Sequence, residues 1–159
     1  MTTKVGFIEA ASHALQNGPQ LFARVEDGGV VIGGRGGEVV PDSTGLYAVV
    51  AQDPDAAGAE LGLDTSVGRS DVLYIGKAEG SLRARLERKH FAGGGTAHST
   101  LRRTLAALLV DRLDLEPVAV ASAGRFTLTP ESGEQLTTWM RRHLAVRVWQ
   151  APAGFAEVT

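Results

Sequence analysis

Two tyrosines stand in short apolar runs, each close to a glycine: Tyr47 in Gly45-Leu46-Tyr47, and Tyr74 in Tyr74-Ile75-Gly76. Lys77 follows the second run at once. The stretch after it, SLRARLERKH at 81–90, carries Arg83, Arg85, Arg88, Lys89 and His90. A phenol with its ordinary pKa near 10 is a weak base unless neighbouring cations or a metal-bound water lower it. A guanidinium can grip a phosphate at two points. Residues 77–110 hold seven Lys and Arg against two Glu, a local charge of +5, whereas 42–71 hold one Arg against six acidic residues, or −5. The whole chain is close to neutral, at −2. That asymmetry fits a face turned towards a polyanion. It also fits a solvated helix face with no partner.

The elements that must position these residues follow from periodicity and punctuation. GLYAVV at 45–50 and VLYIG at 72–76 read as buried strands. Residues 81–91 read as a helix with Ser81 as its cap and Leu82 and Leu86 on one face. Residues 99–110 form a second helix behind Ser99, with Leu101, Leu105, Leu108 and Leu109 as its apolar stripe. Thr129-Pro130-Glu131 opens a third helix that runs to about His143, and AVRVW at 145–149 alternates like a strand. GRFTLT at 124–129 reads as a further short strand. Upstream, a helix over 5–16 precedes short strands in LFARV, VVI and EVV, separated by glycine turns. The GGRGG turn lacks the lysine and Ser/Thr of a phosphate loop, so it reads as turn chemistry. Residues 51–70 are acidic, small and glycine-rich, and read as a long loop with one helical turn at Ala57–Leu61.

Composition sets the outer bounds. The 159 residues suit one domain, with 43% hydrophobic and 21% charged residues, ordinary for a globular chain. The absence of cysteine excludes disulfides and cysteine-bound zinc. No apolar run reaches the ~18 residues of a membrane span, and none follows the N-terminus in signal-peptide fashion. The expected location is cytoplasmic. His13, His98 and His143 share no metal-ligand spacing and read as structural.

Gly45-Leu46-Tyr47, then Tyr74-Ile75-Gly76-Lys77-Ala78, then Arg85 in the next helix, together resemble the GIY-YIG nuclease superfamily over about residues 41–110. YIGKA followed by LRARL looks much like the nuclease segment of the bacterial excision-repair incision enzyme. The resemblance implies an α+β fold: a small, largely antiparallel sheet of about three strands flanked by helices. Residues 1–40 would add an N-terminal helix and short strands, and 41–159 would form the nuclease-like domain with the acidic insertion at about 51–70. It also implies DNA as partner and a divalent cation, Mg²⁺ or Mn²⁺, as cofactor.

Within the resemblance, Tyr47 helps to activate a water, Tyr74 lies beside it on the paired strand, Arg85 holds the scissile phosphate, and Lys77 assists there. Gly45 and Gly76 allow close packing at the strand ends. Arg83, Arg88, Lys89, His90, Arg102 and Arg103 are the candidate nucleic-acid contacts. His90 is either that contact, a solvated helix end, or the helix residue the family sets behind its tyrosine. Its spacing from Arg85 is one residue longer than that last role expects.

The metal-binding glutamate of the family follows its third strand. With AVRVW as that strand, the preferred assignment, the glutamate helix starts near residue 157, which implies a shortened chain or a lost ligand. With GRFTLT instead, the next helix offers Glu131 and Glu134, whose place in its first turn the helix dipole already explains, and sets Trp139 at the glutamate position. The expected function is therefore a metal-dependent endonuclease. The alternatives are a non-catalytic nucleic-acid-binding or regulatory module and, more remotely, a domain whose basic face meets an acidic protein.

Overall fold

The structure, a computed structural model, describes residues 4–62, 71–93, 96, 99–120 and 126–152. Its centre is a three-stranded antiparallel sheet. β3 (Gly45–Ala51) lies between β4 (Val72–Ala78) and β7 (Leu144–Gln150). The uninterrupted apolar run of β3 suits a strand covered on both faces, and Tyr47, Ala48, Val49 and Val50 are fully buried. On one face Ala48, Val50 and Ala145 meet Leu15 of α1 (Lys4–Asn17). On the other, Tyr47 and Val49 join the larger core.

That larger core is closed by α3 (Thr100–Leu109), α4 (Pro130–His143) and the helical segment after β4. Leu101, Leu105 and Leu109 of α3 and Leu136 and Met140 of α4 supply its apolar faces. Both helices begin as their sequences direct. Ser99 caps α3 by accepting from Arg102 N, and Thr129 caps α4 by accepting from Ser132 N. The expected strand AVRVW is β7 and pairs with β3 along its whole length. Phe126–Leu128 does not enter the sheet. As β6 it pairs with β5 (Pro117–Ala119), a strand the sequence reading did not anticipate; residues 121–125, which include the start of GRFTLT, lie outside the described residues.

Three local expectations change, two of them in the part of the chain that carries the tyrosines. Residues 51–62 hold a helix, α2 (Pro54–Leu61), rather than one turn in a loop. Asp53 caps it by accepting from Asp55 N and Ala56 N, Pro54 is its first residue, and Gly62 ends it with φ 70°. The Asp-Pro pair was the overlooked signal. The remainder of the expected acidic loop, 63–70, is outside the described residues.

The second change bears on the site: residues Ala84–His90 form a π-helix instead of continuing an α-helix. Its wider turn shows in the bond from Phe91 N to Leu86 O, 3.0 Å and five residues apart.

The N-terminal residues pack into the same core. β1 (Phe22–Glu26) and β2 (Gly29–Gly33) form a hairpin whose turn places Asp27 and Gly28 at φ 49° and 78°. Leu21 bridges Val146 on the free edge of β7, with bonds of 2.8 and 2.9 Å. Ile32 N donates to Glu87 Oε1 at 3.0 Å, which ties the hairpin to the π-helix. EVV does not form a strand; Val39 makes an isolated bridge to Gly33.

Candidate active site

The register of the sheet decides where the tyrosines go. Tyr47 lies opposite Gly76, and Tyr74 lies opposite Val49. The two tyrosines are therefore diagonal neighbours on one face, with ring centroids 6.2 Å apart. A Cβ at position 76 would overlap the ring and hydroxyl of Tyr47, so the glycine clears the space the ring occupies. Gly45 is needed in the same way: a Cβ there would strike the Trp149 carbonyl and Leu82.

The π-helix delivers the third ring. His90 Nε2 stands 2.6 Å from Tyr47 Oη, and His90 is fully buried. Its ring lies 5.5 Å from that of Tyr47 and 6.2 Å from that of Tyr74. The extra residue between Arg85 and His90, which the sequence shows as a spacing mismatch, is taken up by the wider turn. His90 Nδ1 is 2.7 Å from Ser99 Oγ, and Arg102 Nη1 donates to the His90 carbonyl at 3.0 Å.

Burial dominates the electrostatics. It pushes Tyr47 up to about 12, an effect that the Arg85 guanidinium opposes and the Tyr74 phenol reinforces. Burial likewise pushes His90 down to about 4, with the charges of Arg85 and Arg102 adding to it. His90 is therefore neutral at pH 7 and Tyr47 is protonated. Arg85 is half-buried, and its Nε is shielded from water with no hydrogen-bond partner among the described residues. A desolvated guanidinium donor beside a phenol is a ready place for an oxyanion.

Arg85 lines a cleft of about 480 Å³ whose walls also include Lys77, Glu79, Ser81 and Lys89. Lys77 pairs with Glu79 at 2.9 Å, both side chains largely in water. Arg83, Arg88 and Lys89 are exposed, and Arg83 Nε donates to the Val40 carbonyl. Arg103 is half-buried and bonds Thr100 Oγ1.

Two expected nucleic-acid contacts are corrected by burial. His90 is no solvated helix end, because it is enclosed between Tyr47 and Ser99. Arg102 is fully buried, and donates to the carbonyls of His90 and Gly133 and towards Met140 Sδ. It is a strut between α3, α4 and the π-helix, not a surface phosphate contact. Ser99, read from sequence as a cap alone, is the residue that the reading missed. Its contact with His90 crosses nine positions and depends on the π turn, so no local pattern announces it.

A family model described as the GIY-YIG catalytic domain matches residues 45–153, more than half of the chain. The chain belongs to the GIY-YIG family. No curated protein and no solved structure matches it. The match spans the GIY-YIG sheet, the π-helix, α3, α4 and both motif tyrosines.

The same cleft offers little to a divalent cation. Its walls are mainly cationic, and its carboxylate Glu79 is engaged by Lys77. Among the described residues no three His, Asp or Glu side chains stand together as a metal group. These side chains fit a phosphate and do not by themselves fit a divalent metal. Glu131 and Glu134 stand on α4 beside a different cleft, and the region near residue 157 lies outside the described residues.

Proposed function

We propose that this GIY-YIG domain hydrolyses phosphodiester bonds in DNA. The observation that carries the reading is the buried Tyr47–His90 pair with the Arg85 guanidinium against it, at the wall of a cation-lined cleft. In this reading Arg85 and Lys77 neutralise the charge that develops on the phosphate. A water oxygen attacks phosphorus and one ester P–O bond breaks. The proton of the water passes to the Tyr47 oxygen in its phenolate form, and the leaving oxygen takes a proton from solvent. Because burial raises Tyr47 to about 12, the phenolate is scarce at neutral pH, and the rate rises with pH until the phosphate-bound tyrosine is ionised.

Tyr74 braces the Tyr47 ring, and Arg83, Arg88, Lys89 and Arg103 contact the DNA backbone. The working unit is 41–159. Residues 1–40 are an extension that buttresses the π-helix through the bond from Ile32 to Glu87. The family resemblance implies Mg²⁺ or Mn²⁺, whose ligands the described side chains do not supply. No helix among the described residues is long and apolar enough to cross a membrane, and a DNA substrate goes with a cytoplasmic location.

The test is cleavage of supercoiled plasmid and of branched DNA with Mg²⁺, with Mn²⁺ and with chelator, the parent running beside Arg85→Ala. Cation-dependent nicking that Arg85→Ala abolishes supports the nuclease. Absence of nicking, with DNA binding that weakens in Arg85→Ala, replaces it with a binding module.

A further inference from the structure

Ser99 has more to do than cap a helix. Its Oγ accepts the N–H of Arg102 at 3.1 Å and lies 2.7 Å from His90 Nδ1. The residue is 2% exposed, so its hydroxyl proton has no bulk water to turn to. A serine hydroxyl carries one proton to donate and two lone pairs to accept with. The amide of Arg102 can only donate. Were His90 Nδ1 to donate as well, Ser99 Oγ would receive two protons and its own would be buried with no acceptor among the described residues. Were Nδ1 to accept, every group would be satisfied. Buried donors are almost always satisfied, and an orphan is costly.

Which nitrogen of a neutral histidine carries the proton is set by the bond its other nitrogen makes. We infer that Ser99 is a positioning residue that holds His90 with its proton on Nε2, so that His90 donates to the Tyr47 oxygen and does not accept from it. His90 is neutral in this setting, driven down by burial and by the Arg85 and Arg102 charges, so it has one proton to place. The consequence falls on Tyr47, and there it rests on the nuclease reading. The neutral phenol must direct its own O–H away from His90. Once that proton leaves, the phenolate is met by His90 Nε2–H and by the Arg85 guanidinium. His90 then stabilises the base without itself being the base. The π-helix makes this possible, because the turn closed by Phe91 N to Leu86 O brings the imidazole between the two hydroxyls.

The experiment is long-range ¹H–¹⁵N NMR on the full chain labelled at histidine nitrogen, with the His90 signals assigned by their loss in His90→Gln. The parent is expected to show Nε2 protonated and Nδ1 bare. Ser99→Thr keeps hydroxyl and cap, and is expected to keep that pattern. Ser99→Asp also caps α3, but an ionised carboxylate can only accept. It is expected to move a proton to Nδ1 and to slow nicking at saturating DNA by roughly a hundredfold, the scale of a lost acid–base contribution, with KM unchanged. A proton on Nδ1 in the parent overturns the inference, even if Ser99→Asp does not fold. An unchanged pattern in a folded Ser99→Asp overturns it too. If the parent nicks no DNA at all, the nuclease reading falls, and the parent's nitrogen pattern still decides the role of Ser99.

Discussion

Two histidines in this fold sit against an aromatic ring and an oxygen partner, and they have opposite surroundings. His90 is fully buried between Tyr47 and Ser99, near the cations Arg85 and Arg102. His143 stacks on Trp139 with centroids 4.7 Å apart, keeps some exposure, and stands 3.5 Å from the Glu60 carboxylate. Glu60 also accepts from the Trp139 indole and pairs with Arg112 at 3.4 Å. The indole bond first, and then the charges of His143 and Arg112, hold that carboxyl below its usual range against the opposing effect of burial. The second cluster carries its own counter-charge, since Glu60 meets His143, Arg112 and the Trp139 indole at once. The first has an Arg85 Nε that is shielded from water with no hydrogen-bond partner among the described residues, beside a phenol that burial keeps protonated and that the Arg85 guanidinium draws the other way. A site is marked less by its residue types than by what the fold leaves unfinished around them.

The contrast breaks most readily at Tyr47. Tyr47→Phe is expected to reduce plasmid nicking by roughly 10²–10⁴-fold, the range of acid–base contributions. Trp139→Phe, its counterpart, should leave nicking within about twofold. Equal losses in gel-based rate assays would end the distinction. Arg85→Ala comes next, with weaker DNA binding in fluorescence anisotropy as well as lost nicking, because the guanidinium serves both the phosphate and the phenol.

The pH response separates the two regions further. His90 lies at about 4 in the fold against 6.5 free. Below 6.5 the unfolded chain gains a proton that the folded chain refuses, so stability is present above that pH and is lost as pH falls towards 4. The loss is roughly 3 kcal/mol. Tyr47, raised to about 12 from 10.0, acts at the other end: its contribution is intact below pH 10 and is lost as pH rises towards 12. Denaturant titrations of His90→Gln between pH 6.5 and 4 should show a flatter stability curve than the parent. An unchanged slope would mean that His90 is not held neutral.

A smaller effect is expected at Trp139→Phe itself: about 1–3 kcal/mol of stability, from a lost hydrogen bond to a charged group, read by thermal unfolding with nicking retained. The smallest is expected at Lys89→Ala. Removing one surface phosphate contact should reduce the salt dependence of DNA binding by about one unit of slope.

Much of the site was legible in the chain. Gly45, Tyr47, Tyr74, Gly76 and Arg85 were singled out as a set, and strand alternation puts Tyr47, Tyr74 and Gly76 on one face once β3 and β4 pair. The apolar runs, the Ser99 and Thr129 caps, and the third strand, read at 145–149 and found at Leu144–Gln150, also follow from local pattern. These are short-range properties, carried by periodicity and by side chains that bond their own backbone. Burial was different. Arg102 and Arg103 are adjacent and look alike in sequence, yet one is fully enclosed and the other reaches the surface, because only the packing of α3 against α4 distinguishes them. His90 looked one residue out of step until the π turn absorbed the difference, and Ser99 gained its partner by the same event. Sequence alone determined which groups could do chemistry and which strands would carry them. The tertiary structure decided which are dry and what faces them, and so which protons they hold, because desolvation and charge depend on what packs around a group rather than on what precedes it in the chain.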